Sequence, residues 1–107
     1  MFQLDPKLNN NGVDGKTQNA YAKNDGLFLT CADNEAIVIT DLMSRRTGQL
    51  REDTALGDVI ITITESGISN FTTPIMVSAG SAIYNWTSDD PSLIQNQVSI
   101  NYYKVRV

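Results

Sequence analysis

The sequence predicts an all-β domain, a small sandwich or jelly-roll-like barrel of about six strands behind an extended N-terminal arm. Three observations carry this. Thr, Ile, Val, Ser and Asn are plentiful while Lys and Glu are scarce, so strand and turn formers outweigh helix formers. Apolar residues recur in short runs separated by turn signals, and no ten-residue stretch shows helical periodicity. Hydrophobic residues make up 41% of the 107-residue chain, enough for one domain with a packed core.

Residues 1–26 stand apart. They hold Asn9-Asn10-Asn11-Gly12, Asp14-Gly15 and Asn24-Asp25-Gly26 with few apolar residues between, and read as an arm without regular structure. Its tip offers Phe2, Leu4 and Leu8 for burial against something else. A disordered tail, an arm docked on a neighbouring subunit and an arm packed on its own domain all fit.

Residues 27–107 form the β domain. Strands are expected over 27–32 and 36–42, joined as a hairpin by Asp33-Asn34-Glu35. The run Ala36-Ile37-Val38-Ile39 suits a strand buried on both faces. Residues 43–54 are polar and read as a long loop with one helical turn near 49–53. A half-buried strand follows at 59–65, where Val59, Ile61 and Ile63 alternate with Ile60, Thr62 and Thr64. After a turn at Ser66-Gly67, a strand at 71–77 carries Pro74, which assigns it to an edge or a bulge. The turn Ser78-Ala79-Gly80-Ser81, with Gly80 free to take positive φ, leads to a strand at 82–86. Asp90-Pro91 suits the start of a short helical turn. The last strand, 98–107, slips phase at Tyr102-Tyr103, where a bulge is expected.

Catalytic options are few. There is no histidine, so Ser-His-Asp and Cys-His pairs are ruled out, and a single cysteine cannot build a zinc site. No phosphate-binding glycine motif follows a strand. The carboxylate pairs Asp33/Glu35, Glu52/Asp53 and Asp89/Asp90 fall in predicted turns and lack the spacing of a calcium loop. No enzyme activity, cofactor or metal is therefore expected. Cys31, in an apolar run, reads as an inert packed thiol.

The formal charge is −4 and the pI about 4.5, which argues against coating nucleic acid. Arg45 and Arg46 are the lone basic pair and read as an exposed turn. The N-terminus lacks a signal-peptide pattern, and no apolar stretch is long enough to span a bilayer. A cytoplasmically made, unprocessed chain is expected, so Asn70-Phe71-Thr72 and Asn85-Trp86-Thr87 read as chance matches to a glycosylation pattern. Tyr84, Trp86, Tyr102 and Tyr103 are the aromatics to weigh as interface or sugar-stacking residues, against plain core packing.

A short, acidic, cysteine-poor, histidine-free β domain with an Asn/Gly-rich arm in front resembles small virion proteins of tailed bacteriophages. The arm 1–26 and the stretch 74–84, a strand, Ala-Gly turn and strand, resemble what capsid decoration (cement) proteins carry. The resemblance is one of overall style and transfers no motif residue by residue. It implies a location in the virion, assembled in the host cytoplasm. It also implies homo-oligomers, often trimers, that bind the major capsid protein or other virion proteins and bridge capsomers. A tail, neck or fibre module and a carbohydrate- or receptor-binding module are the alternatives.

Overall fold

A computed structural model describes residues 17–90 and 92–107, with Asn70 described by its backbone alone. Eight strands follow one another: β1 (Gln18–Ala22), β2 (Gly26–Leu29), β3 (Glu35–Ser44), β4 (Gly48–Glu52), β5 (Val59–Ile63), β6 (Gly67–Met76), β7 (Ile83–Trp86) and β8 (Val98–Arg106). They form two antiparallel four-stranded sheets, ordered β1-β8-β3-β6 and β2-β7-β4-β5. The chain changes sheet at every connection except the β4–β5 hairpin. That order is the strand order of an eight-stranded jelly roll.

The core forms between the two sheets. β3 contributes Ile37, Ile39 and Leu42, and β8 contributes Val98, Ile100 and Tyr102. Leu50, Ile63 and Ile83 meet them from the opposite sheet. Each strand turns alternate side chains inward, as the two-residue period of the pleat requires. β3 is the exception anticipated from its continuous apolar run. Ala36 and Val38 are also buried, but on the outer face, where they pack with Val105 and Tyr103.

Several expectations are corrected. Gln18–Ala22 pairs with β8, so the arm read from residues 1–26 loses these residues to the sheet. The inward residues of β1 are Ala20 and Ala22, too small to leave a strong apolar pattern. Residues 1–16, and with them Phe2, Leu4 and Leu8, lie outside the described residues. The 27–32 and 36–42 strands are not a hairpin, because β2 and β3 belong to different sheets. Alternation reports which way a side chain faces and says nothing about which sheet the strand joins. The expected loop 43–54 contains the end of β3 and all of β4. β4 buries a single large apolar residue, Leu50, so its pattern is too thin to register. No helical turn forms at 49–53 or 90–95 among the described residues. Asp90 instead closes a tight turn by accepting hydrogen bonds from the Ser92 amide and hydroxyl.

The slip near Tyr102 has a different source from the one expected. β8 keeps its alternation, and the extra residue is Thr40 on β3, between the pairs Ile39–Tyr102 and Asp41–Asn101. Ile60 plays the same part in β5, since Leu50 pairs with Ile61 and Arg51 with Val59. Other expectations stand. Pro74 lies on the edge strand β6, in the stretch where its register with β3 shifts. Gly80 takes a φ of 75° in the turn between β6 and β7. Its amide donates to the Glu35 carbonyl at 2.8 Å, which ties this turn to the β2–β3 corner.

Two ionisable core groups give an alkaline signature. Cys31 donates towards the Glu35 and Ser81 carbonyls at 3.5 Å, and burial pushes its thiol up from the ordinary value of 9.0. Burial likewise raises Tyr102 above 10.0, while its hydroxyl donates to Gln18 Oε1 at 2.9 Å. In both cases the unfolded chain ionises first, so the stabilisation is complete below the unfolded pKa and is lost as pH rises through the folded one. The melting temperature is expected to fall above about pH 9, and Tyr102→Phe should flatten the part of the fall above about pH 10. An identical pH profile for wild type and Tyr102→Phe would refute this assignment.

Candidate docking surfaces

The four aromatics singled out from the sequence do not share a platform. β7 places Tyr84 and Trp86 on the outer face of the β2-β7-β4-β5 sheet, where they pair with Arg51 and Gln49 of β4. Tyr102 is in the core at 6% exposure, which removes it as a surface contact. Tyr103 lies on the outer face of the other sheet, beside Val38.

Trp86 is already engaged. The Arg51 guanidinium carbon sits 3.7 Å from the centre of its ring. Gln49 Oε1 accepts from Arg51 Nε at 2.8 Å, and the Ala55 carbonyl accepts from Arg51 Nη1. The indole N–H donates to Asp89 at 3.0 Å. One face of the indole, the surface a sugar ring would stack on, is thus covered by a cation with hydrogen bonds of its own. Arg51→Ala is expected to cost about 1 kcal/mol of stability. It should also change the emission of Trp86, the sole tryptophan. Unchanged emission would show that the stack does not persist in solution.

The larger surface is the outer face of the β1-β8-β3-β6 sheet. Register sets its side chains in rows across the strands. One row runs Tyr21, Ser99, Met43, Ile68, from β1 through β8 and β3 to β6. Tyr21, Met43 and Ile68 are 54%, 50% and 70% exposed. The next row is polar and internally bonded. Asn19 Nδ2 donates to Ser99 Oγ at 2.8 Å and Asn101 Oδ1 at 3.1 Å. Asn101 Nδ2 and Thr40 Oγ1 donate to Asp41 Oδ2 at 3.3 and 3.0 Å. A third row, Tyr103, Val38 and Met76, is apolar again, with Met76 60% exposed. A depression of about 190 Å³ lies over the first two rows, lined by Asn19, Asp41, Met43, Ile68, Ser99 and Asn101 among others. In these three rows the only formal charge is Asp41, and two donors already hold it.

Sequence reasoning picked out Tyr103 from this face and missed Tyr21, Met43, Ile68 and Met76. Tyr21 falls within the expected arm and Met43 within the expected loop 43–54, so neither reads as a strand residue, and the pairing that sets Ile68 and Met76 on this face depends on register.

The predicted carboxylate pairs serve turns. Glu35 Oε1 accepts from the Ala32 amide at 2.9 Å, Glu52 Oε1 from Ser78 at 3.2 Å and Asp53 Oδ1 from Ala82 at 2.8 Å. Among the described residues no three Cys, Asp or Glu gather as metal ligands. No family model, curated protein or solved structure matches the chain.

Proposed function

We propose that this chain is a virion structural protein of the capsid decoration (cement) type. As a homo-oligomer it binds the outside of a protein shell and bridges neighbouring capsomers. One observation carries the reading: a folded sheet face presents exposed Tyr21, Met43, Ile68 and Met76 around a polar row that is internally hydrogen-bonded. Such a face gains from being covered, because its apolar rows leave water while its polar row brings few unpaired groups into the interface. The four strands, 5, 9, 10 and 10 residues long, span roughly 550 Å². Covered by a partner, that approaches the lower end of specific interfaces. Jelly rolls occur in viral capsid domains, which supports the reading by analogy of fold alone. Symmetric repetition on a shell would multiply a contact of this size through effective concentration.

Cosedimentation with purified shells tests the proposal. Saturable binding in fixed proportion to capsomers, with a higher rupture temperature for the coated shell, is the expected result. Binding to tails or fibres but not to shells would overturn it in favour of a tail module.

A further inference from the structure

A second surface lies at the end of the sandwich where β3 leaves its sheet and β8 enters it. There the β3–β4 turn, Arg45-Arg46-Thr47, runs beside the loop before β8. Two depressions of about 350 and 410 Å³ adjoin, sharing Arg46 and Ile94 in their walls. Arg45, Gln95 and Gln97 complete the first, and Leu93, Thr47, Thr87 and Ser92 the second. We propose that this groove, built on Arg45, Arg46, Leu93 and Ile94, binds an acidic peptide segment of a partner protein that also carries apolar side chains.

Charge supports this occupant. The chain has 12 acidic and 8 basic residues, yet among the described residues no carboxylate lines either depression while two adjacent arginines do. On an otherwise acidic surface the two arginines are a local pairing site for the carboxylates of such a segment. Three carboxylates flank the second depression and leave the first, with Arg45 and Arg46, to take the acidic side chains. Asp25 accepts from the Thr87 amide at 3.0 Å and from its hydroxyl at 2.6 Å. Asp89 accepts from Trp86 and Asp90 from Ser92. Leu93 and Ile94 are 52% and 67% exposed beside the arginines, so the groove suits a peptide with both acids and aliphatic side chains better than a free anion.

The groove is also held in shape. The Arg45 amide donates to the Gln97 carbonyl at 3.2 Å, and the Arg46 amide donates to Asn96 Oδ1 at 2.8 Å. Asn96 is fully buried, and its own amide donates to Thr87 Oγ1 at 2.7 Å. The two walls are therefore stitched together by backbone amides that donate to a carbonyl and to two side-chain oxygens, so the arginines are presented from a fixed frame. Preorganisation of this kind lowers the entropic cost of binding. Guanidinium groups pair with carboxylates in a bidentate manner, which favours arginine here over lysine.

The test uses the full chain and a fluorescein-labelled hexapeptide of alternating Glu and Leu, with anisotropy as the readout. Saturable binding is expected, weakened at least about tenfold by Arg45→Gln/Arg46→Gln and at least about threefold by Leu93→Ser/Ile94→Ser. Amide shifts of the wild-type protein on titration should map to 45–47 and 93–97, a readout that needs no variant. The inference is overturned by an absence of saturable binding, by unchanged affinity in the arginine variant, or by shifts centred elsewhere. An oligothymidylate of equal charge bound as tightly as the peptide would also overturn it, since the site would then read charge alone.

Discussion

Ile39→Ala is expected to cost about 3 to 4 kcal/mol of folding stability, measured by urea unfolding. Ile39 has 0% exposure and sits in the register Ile75–Ile39–Tyr102, between the neighbouring strands of its sheet. It packs in the cluster that includes Leu50 and Ile83 of the opposite sheet. Truncation removes three carbons from the place where both sheets meet. β3 cannot move inward to fill the space, because Val38, the next residue, is buried on the other face. The loss should therefore include a cavity term as well as the transfer term. Leu56→Ala is the matched control. Leu56 is 90% exposed in the β4–β5 loop, and its truncation should change stability by no more than about 0.5 kcal/mol. Equal effects from the two variants would contradict the core assignment.

Gly57→Ala should be nearly as damaging, at about 2 to 3 kcal/mol, and by another route. A Cβ at Gly57 would lie 1.7 Å from the Glu52 carbonyl oxygen and 2.8 Å from its carbon. Both are backbone atoms, so no side chain can swing away. The loop can relax only by giving up bonds that define it. These are Glu52 amide to Asp58 carbonyl at 2.8 Å and Gly57 amide to Thr54 carbonyl at 3.0 Å. Moving Glu52 also disturbs Asp53, whose amide and carboxylate both bond Ala82. The variant should thus raise hydrogen exchange in β5 and in the start of β7 together. A stability within about 0.5 kcal/mol of wild type would show that the loop holds a different shape in solution.

These two sites mark what the sequence did and did not make legible. The inward set of β8 was readable, because Val98, Ile100 and Tyr102 alternate at the period of a strand. The double burial of Ala36 to Ile39 was readable from its unbroken apolar run. β1 and β4 were missed because each buries little, two alanines in one and Leu50 in the other. The steric demand at Gly57 leaves no mark at all, since it depends on how a hairpin folds back on Glu52. Bulges at Thr40 and Ile60 shift register by one residue, and a single sequence shows the shift only as blurred alternation. Of the candidate surface, Tyr103 was legible as an aromatic. Tyr21, Met43 and Ile68 on the same face come together through Ser99, by pairings 78, 56 and 25 residues apart in sequence, which no local pattern reports. Trp86 was legible as a residue to weigh, but its cover by Arg51 was not.

The assembly reading rests on the outer face of the β1-β8-β3-β6 sheet. Its most direct test is the affinity of a Met43→Asp/Ile68→Asp variant for shells lacking the protein. Both side chains are at least half exposed, so the variant should fold as wild type does, checked by its melting temperature. Its affinity for the shell should fall at least about tenfold, as expected when two central apolar contacts become charged. A folded variant that coats shells as tightly as wild type would contradict the account.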